Sequence, residues 1–486
     1  MQRSGRTALS RRRLLELAGG TAVGALAGCV DRLPGIGDDG GSEVTPRTPV
    51  TAEPDRSVTL TAASGTIQPS PETSAANWLY EGAFPGPQLR VQEGDVLSAE
   101  LVNDLQEETT IHWHGVPVPN PVDGVPNVTQ EPTAPGETFT YKFRAEPPGT
   151  YFYHSHVGLQ LDRGLLGPLI VEERDPHIDY DREYVVVVDD YLPQAPRLPT
   201  NGGSGGGGMG GGGMGDGRGG RGGMMGDARP PYEGLLINGR LPENQPTFDV
   251  TEGDRVRFRF VNAASATVFG VRIAGHEMSV THADGRPVEP VDVDSFVFGS
   301  GERYDVVVEA TNPGTWSVQA AALDGNEPPA SALLRYDSSD NGARPQQPSS
   351  SGDQLQYGDL QAVNSLSGID GRPDRTFDLT LSRGSGQSYT WTIDGEAYPD
   401  AEPLDIQLGE HVRIRMTNQS PVVHPMHLHG HFFEVGNALK DTVIVPGHRG
   451  QVTLDFHADN PGRWLFHCHN LYHLDAGMAR VIRYVE

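Results

Sequence analysis

The sequence predicts an all-β protein built from three related β-sandwiches. This rests on a three-fold internal repeat, on alternating apolar and polar residues within it, and on frequent Gly and Pro turns without a long amphipathic helix. The repeated segments are VQEGDVLSAELVN (91–103), VTEGDRVRFRFVN (250–262) and IQLGEHVRIRMTN (406–418). In each, an Asn follows the Gly by nine residues, and a second signature, Pro-Gly-x-aromatic, recurs downstream at 148–151, 313–316 and 461–464.

The repeat sets the predicted organisation of the chain. We expect an export signal at 1–28, a flexible stalk at 29–56, sandwiches at 57–178, 179–340 and 373–486, and a linker at 341–372. The second sandwich contains an insert, 201–229, that is rich in Gly and Met.

Composition narrows the class of partner. The 486 residues carry a net charge of −27, and Lys142 and Lys440 are the only lysines. Such a surface offers no basic stripe for phosphates, which argues against nucleic acid binding. It is typical of proteins that stay soluble in high salt, so a halophilic, haloarchaeal source is predicted, with an ordinary acidic secreted protein as the alternative.

The N-terminus predicts export. Arg11, Arg12 and Arg13 precede an apolar run of 15 residues, too short to span a bilayer, which ends at Cys29. The paired arginines resemble a twin-arginine signal, and Leu-Ala-Gly-Cys (26–29) resembles a lipoprotein box. We expect an extracellular or cell-surface protein with a lipid anchor at Cys29. An ordinary signal peptide with an incidental cysteine is the alternative.

The repeat also aligns the histidines. Relative to the repeat Asn and the Pro-Gly proline, four His-x-His pairs stand at matching places in the first and third units, and the second unit has Val271, Ile273 and Gln319 there. The pairs are at 112/114, 154/156, 427/429 and 467/469. Alternate residues of a strand face one side, so each pair presents two imidazoles together. Eight imidazoles exceed the four ligands of one zinc, and imidazole without carboxylate favours copper, in a cluster of about three ions.

A second metal site is predicted in the third unit alone. Cys468, His473, Met478 and His424 supply a thiolate, a thioether and two imidazoles, the ligand set of a blue-copper electron-transfer centre. This also explains a cysteine that has no disulfide partner in a mature chain beginning at Cys29. His467-Cys468-His469 joins the two sites covalently, which indicates one-electron oxidation at one and a multi-electron acceptor, best dioxygen, at the other.

These residues resemble the multicopper oxidases. The motifs read HWHG (112–115), HSH (154–156), HPMHLHG (424–430) and HCHNLYHLDAGM (467–478), and VDGVP (122–126), GTYFYHSHVGLQ (149–160) and HPMHLHGHFFEV (424–435) are most similar to the copper-resistance, cuprous-oxidase-like branch. The resemblance runs from about Ala63 to Glu486. It implies three cupredoxin-like Greek-key domains, four coppers and the coupling of substrate oxidation to reduction of dioxygen to water.

The resemblance also implies roles for individual residues. The type 1 copper takes His424, Cys468, His473 and Met478, the type 2 copper takes His112 and His427, and the type 3 pair takes His114, His154, His156, His429, His467 and His469. The edge of His473 is expected to lie nearest the substrate.

Proton delivery is predicted for one carboxylate. Asp123 matches a position where the family places an acidic residue near the cluster, and a simple turn aspartate before Gly124 is the alternative. Many bacterial laccases carry a further acidic residue directly after the last type 1 histidine, where this chain has Leu474; Asp475 is an unsupported substitute. His431 belongs to no ligand set.

The Gly- and Met-rich insert, 201–229, suggests which substrate is oxidised. Met209, Met214, Met224 and Met225 stand within 29 Gly-rich residues, and thioethers select Cu(I). A Cu(I)-gathering loop and a tolerated low-complexity linker are both open. We expect oxidation of Cu(I) in copper tolerance, with laccase-like oxidation of phenols or aromatic amines as the alternative. A copper-sequestering protein without turnover is less favoured, because storage needs no electron path, and a copper nitrite reductase would lack the type 3 pair.

Overall fold

The computed structural model describes residues 47–199, 229–339, 344–349, 351–384 and 389–486. In these ranges the chain forms three consecutive β-sandwiches, each of two facing sheets. This confirms the predicted all-β, cupredoxin-like fold class. No helix among the described residues is long and apolar enough to cross a membrane.

The first sandwich has sheets of four strands, in the orders β2-β1-β4-β6 and β3-β8-β7-β5. Its strands are β1 (Arg56–Ser70), β2 (Thr73–Tyr80), β3 (Leu89–Gln92), β4 (Val96–Asn103), β5 (His112–His114), β6 (Thr138–Arg144), β7 (Gly149–His154) and β8 (Leu166–Glu172). Short 3₁₀ turns lie at Asn120–Val122 and Leu161–Arg163.

The second sandwich has sheets of six and five strands, β10-β9-β12-β17-β14-β15 and β11-β19-β18-β13-β16. Its strands are β9 (Arg182–Tyr191), β10 (Gly234–Ile237), β11 (Thr247–Val250), β12 (Arg255–Asn262), β13 (Phe269–Ile273), β14 (Met278–Ala283), β15 (Arg286–Val293), β16 (Phe296–Phe298), β17 (Arg303–Glu309), β18 (Thr315–Ala322) and β19 (Ala330–Tyr336), with a 3₁₀ turn at Pro242–Asn244.

The third sandwich repeats this plan as β21-β20-β23-β28-β25-β26 and β22-β30-β29-β24-β27. Its strands are β20 (Arg375–Arg383), β21 (Trp391–Ile393), β22 (Leu404–Ile406), β23 (His411–Asn418), β24 (His424–Leu428), β25 (Phe433–Val435), β26 (Ala438–Lys440), β27 (Thr442–Val445), β28 (Gln451–His457), β29 (Arg463–Cys468) and β30 (Ala479–Tyr484). One short helix, α1 (Leu471–Asp475), lies between its last two strands.

The repeated Gly marks the same turn in every sandwich. Gly94, Gly253 and Gly409 have φ of +83°, +96° and +85°, a left-handed conformation that glycine adopts without steric cost. The acidic residue that follows accepts a hydrogen bond from the main-chain N–H three residues before it, as Asp95 does from Gln92. A local turn rule therefore explains the Gly-acid pair of the repeat.

The repeated Asn closes the other end of the same strand. Asn103, Asn262 and Asn418 are fully buried. Each side-chain amide donates to two main-chain oxygens, and each side-chain oxygen accepts from the N–H two residues on. The Asn thus ties down the loop after β4, β12 and β23, and in the first and third sandwiches that loop leads to a strand that carries histidines.

Two connecting segments are more than spacers. In the predicted linker, Tyr357 donates to Glu302 of the second sandwich (2.7 Å) and accepts from the N–H of Ile444 in the third (3.0 Å). At the end of the predicted stalk, Asp55 accepts from the N–H of Val96 (2.8 Å). This bond links the end of the predicted stalk to the first sandwich, and the flexible stalk at 29–56 stays a prediction.

Candidate metal centres

Strand pairing brings the eight paired histidines together. His112 lies opposite His154 in the β5–β7 pair, and His427 lies opposite His467 in the β24–β29 pair. The imidazoles of the first and third sandwiches then interleave: His112 stacks on His429 with ring centres 3.9 Å apart, and His114 stacks on His427 at 3.8 Å. The cluster therefore lies between the first and third sandwiches.

One nitrogen of most of these rings is held by the protein. Nδ1 of His112 donates to the main-chain oxygen of Asp123 (2.8 Å), and Nδ1 of His427 donates to that of Asp441 (2.9 Å). Main-chain oxygens also accept from Nδ1 of His154 and His467. These bonds fix the tautomer and leave Nε2 for a metal.

The other nitrogens face inward. Within these eight rings, the buried nitrogens without a hydrogen-bond partner among the described residues are Nε2 of His112, His154, His156 and His427, Nδ1 of His114, and both nitrogens of His469. Nε2 of His429 and His467 point at each other across 2.9 Å. Buried polar atoms are normally paired, so these unpaired nitrogens are suited to binding metal ions between them.

Burial also favours the neutral form of six of these rings. It lowers the pKa of His114, His154, His156, His429, His467 and His469 well below the ordinary value, and the neighbouring histidines lower it further. A neutral imidazole is the form that binds a metal, so the site is suited to ligation before any ion arrives.

Two carboxylates contact the cluster from outside. Asp123 is fully buried, and its Oδ2 accepts from Nδ1 of His429 (3.0 Å) while its Oδ1 lies 3.2 Å from Nδ1 of His112. This buried contact does not favour the alternative of a simple turn aspartate. Asp441 Oδ1 lies 3.2 Å from Nε2 of His114. Our sequence reasoning missed Asp441, although Lys440 beside it is one of only two lysines.

The second centre lies wholly in the third sandwich. Sγ of Cys468, at the end of β29, is 3.6 Å from Nδ1 of both His424 and His473, and these two nitrogens are 3.1 Å apart. Met478 is fully buried in the same apolar cluster as Cys468. Burial raises the pKa of the Cys468 thiol well above its ordinary value, so a bound cation is what would favour the thiolate.

Local hydrogen bonds orient the ligands of this second centre. Asn470 caps α1 by accepting from the N–H groups of Tyr472 and His473. The N–H of Met478 donates to the oxygen of His473 (2.9 Å), and the N–H of Cys468 donates to the oxygen of Met478 (3.1 Å). Nε2 of His424 contacts Oγ of Ser420 (2.9 Å), which leaves its Nδ1 for the metal.

The His473 imidazole is fully buried, and the Trp391 ring packs over it with ring centres 4.2 Å apart. The expectation that its edge lies nearest the substrate stays a prediction. A donor would have to pass its electron through the residues that cover this ring.

Other residues singled out in the sequence have distinct places. His431 contacts Tyr484 Oη (2.7 Å) and the oxygen of His429, so it is a buried structural residue. Asp475 lines an open cavity of about 340 Å³ that reaches His156. Cys29 and the four insert methionines, Met209, Met214, Met224 and Met225, lie outside the described residues.

Comparison with known proteins bears directly on these centres. Three family models described as multicopper oxidase match residues 61–176, 183–339 and 371–486. Multicopper oxidase MmcO of Mycobacterium tuberculosis is 37% identical over 430 residues, covering 84% of this chain and 82% of its own length. This chain belongs to the multicopper oxidase family.

Two further proteins place this multicopper oxidase among its relatives. A copper resistance protein A homolog of Pseudomonas syringae pv. tomato is 28% identical, with 83% of this chain and 88% of that protein covered. The crystal structure of a laccase from Botrytis aclada is 26% identical, with a TM-score of 0.73 and coverage of 89% and 87%. The protein is a copper-dependent oxidoreductase with type 1, type 2 and type 3 copper as its cofactor, as the motifs predicted.

Proposed function

We propose that this oxidase takes electrons from Cu(I) and serves copper tolerance. The observation that carries the proposal is where the Gly- and Met-rich insert begins and ends. Leu198 before it and Tyr232 after it belong to one apolar cluster with Leu471 and Tyr472 of α1, the helix that carries His473. The described residues that flank this four-methionine segment therefore share an apolar cluster with the helix that carries His473.

The anchoring of these flanks is specific. Tyr232 and Tyr472 both donate to the carboxylate of Asp162, so the three sandwiches meet at one partly buried acid. Arg229 pairs with Glu327 (2.9 Å) and lies 3.5 Å from Asp190. Soft thioethers supplied at this point would select Cu(I). The similarity to copper resistance proteins supports the same substrate.

The ligand assignment belongs to the proposal. The type 1 ion takes His424, Cys468, His473 and Met478, the type 2 ion takes His112 and His427, and the type 3 pair takes His114, His154, His156, His429, His467 and His469. The coppers would supply one-electron acceptance from the donor and four-electron reduction of dioxygen to water.

The protein's own residues provide positioning and a path. Cys468 is covalently continuous with His467 and His469, so a few bonds join the two centres. Asp123 holds the Nδ1–H of His429 and faces His112, which orients both rings. We also propose that Asp123 delivers protons to the oxygen site, as a carboxylate close to the reacting atoms can do.

Oxygen uptake by the copper-loaded protein tests the substrate. Cu(I) and a simple phenol are offered in turn to the parent protein, to a 201–229 deletion and to an equal-length insert with all four methionines replaced by leucine. We expect both variants to lose Cu(I) turnover and to keep phenol turnover. Unchanged Cu(I) turnover in the leucine variant would reject the methionine role. Absence of uptake with either donor would favour sequestration.

A second candidate donor is a small aromatic molecule. A cavity of about 340 Å³ lies between the second and third sandwiches, and its wall includes Val268, Val423, Pro425 and Asn470. Its mostly apolar lining flanks His424, which suits a phenol or aromatic amine. Val268→Trp should fill the cavity and lower phenol turnover while Cu(I) turnover is unchanged. The opposite pattern would exclude this cavity as the aromatic site.

We further propose export by the twin-arginine pathway and a lipid anchor at Cys29. The support is the arginine run, the short apolar stretch and the Leu-Ala-Gly-Cys box. Cys29→Ala should move the protein from the membrane fraction to the soluble exported fraction. An unchanged distribution would reject the anchor.

A further inference from the structure

The second sandwich carries none of the twelve ligands assigned above, yet one of its turns touches the trinuclear site. The turn joins β16 to β17, and Gly301 within it has φ +89°. A Cβ placed on Gly301 would come within 2.8 Å of His114 Cε1 and 3.0 Å of the His469 ring. Since real Cβ contacts are not that short, a side chain here would displace a ligand ring.

Arg303, the first residue of β17 after this turn, contacts the site through an ion pair. Arg303 is fully buried, and its two terminal nitrogens donate to the two carboxylate oxygens of Asp441 at 2.8 and 2.6 Å. It also donates to the oxygens of Gly301 (2.8 Å) and Thr150 (3.1 Å). A bidentate arginine fixes both the position and the plane of a carboxylate.

That carboxylate contacts two ligand rings, His114 and also His427, whose Nδ1 lies 3.4 Å from Oδ1. Asp441 Oδ1 accepts from Nε2 of His114 (3.2 Å), and Nδ1 of His114 is a buried nitrogen with no partner among the described residues. For His112, His154, His427 and His467 the protein holds Nδ1 instead. The Arg303–Asp441 pair, together with Thr442 Oγ1 at 3.2 Å from the same Nε2, therefore sets an opposite ring orientation for His114.

The competing explanation is that Arg303 only links the second sandwich to the third, and a comparison with Lys440 argues against it. Lys440 joins Asp284 and Glu302 across the same boundary at 3.0 Å each, without contacting a ligand ring. Arg303 instead donates to Asp441 Oδ1, the same oxygen that accepts from Nε2 of His114. Gly115, with φ +83°, directly follows His114 and leaves room for the Arg303 guanidinium.

We propose that Gly301 and Arg303 of the second sandwich are positioning residues for the trinuclear copper site. Arg303 acts through Asp441 to present Nδ1 of His114 to the metal, and Gly301 leaves the space that the rings of His114 and His469 occupy. The copper-free sandwich thus shapes a site whose ligands all come from its neighbours. This role is independent of the electron donor.

The test uses Arg303→Lys, Gly301→Ala and the control Arg257→Lys. Arg257 is equally buried in the second sandwich, and its ion-pair partners are Asp305 and Glu173. Copper affinity of the trinuclear site is measured by chelator competition, with the blue absorbance of the type 1 centre as an internal reference. Loss of an outer-shell partner typically lowers metal affinity about 10- to 100-fold.

We expect the copper affinity of the trinuclear site to fall about 10- to 100-fold in Arg303→Lys and in Gly301→Ala. Arg257→Lys should keep wild-type affinity, and all three variants should have the same blue absorbance. Wild-type affinity in both test variants would overturn the proposal, and so would an equal fall in Arg257→Lys. Circular dichroism establishes that each variant is folded. If Arg303→Lys does not fold, Gly301→Ala decides by the same readout.

Discussion

Replacing Asn418 by alanine should weaken the third sandwich and disturb the type 1 centre together. The Asn418 amide donates to the oxygens of Val422 (2.7 Å) and Val445 (3.3 Å), and its oxygen accepts from the N–H of Ser420 (2.9 Å). Alanine removes these three bonds at a fully buried position and leaves the N–H of Ser420 without its acceptor, whereas the oxygen of Val422 still accepts from the Ser420 hydroxyl (3.1 Å). At about 1 kcal/mol per bond, plus the cost of buried unpaired groups, the loss is about 3–5 kcal/mol.

The copper effect follows from Ser420. Its hydroxyl donates to Asn418 Oδ1 (2.8 Å) and contacts Nε2 of His424 (2.9 Å). Without Asn418 the loop that leads into β24 loses its tie, so the His424 ring should shift relative to Cys468. Because the blue band comes from the copper–thiolate bond, its position or intensity should change.

The chain supplies a matched control. Asn262 makes the same three bonds in the second sandwich, to Thr267, Phe298 and Ala264, and that unit holds no ligand. Asn262→Ala should lower the thermal unfolding temperature by a similar amount and leave the blue band unchanged. The reasoning fails if Asn418→Ala loses the same stability with a wild-type blue band, or if Asn262→Ala alters that band.

Three further changes have defined outcomes. Burial, reinforced by Asp190, raises the pKa of Asp162 to about 7, from an ordinary 3.8. The folded state therefore binds this proton more tightly, and stability is lost as pH rises from about 4 to 7. Asp162→Asn should therefore reduce the loss of unfolding free energy over this pH range by no more than about 4 kcal/mol, measured as melting temperature against pH. An equally steep loss in the variant would contradict this. Lys440→Met should cost about 3–5 kcal/mol, because it leaves buried Glu302 without its cation and buried Asp284 with Arg303 alone at 3.7 Å. Lys142→Met should cost under about 0.5 kcal/mol, and equal losses in chemical denaturation would refute the difference. Asp123→Asn should slow reoxidation by dioxygen about 10²-fold or more, while reduction of the blue centre stays fast in stopped-flow absorbance; normal reoxidation would remove the proton-delivery role.

The fold was predictable because its signals are local. A Gly in a left-handed turn, an acid that accepts from the residue three before it and an Asn that ties down the next loop all act within a few residues or one neighbouring strand. The turn residues and the alternating pattern therefore show the repeat in the sequence itself. The histidine ligands were visible for the same reason, since His-x-His on a strand places both rings on one face.

The outer contacts of the cluster were not predictable in this way. Arg303 and Asp441 are 138 residues apart, and neither stands out by type in a chain with 35 arginines and many aspartates. Only the packing of the second sandwich on the third brings them together. The burial of His473 under Trp391 was missed likewise, because the ring that covers it comes from a strand 82 residues earlier in the chain.

The middle sandwich supplies none of the assigned ligands, yet it contacts both of the sandwiches that do. Where its neighbours have histidines, it has Val271 and Ile273, which are buried in its own apolar core opposite Ala320 and Val318. It nevertheless touches the trinuclear site through Gly301 and reaches the type 1 region through Tyr232 beside α1. Under the proposed function, the methionines would therefore stand on a unit that supplies none of the assigned copper ligands. If the proposed role of the methionines holds, deletion of 201–229 should lower Cu(I) turnover without changing dioxygen reduction.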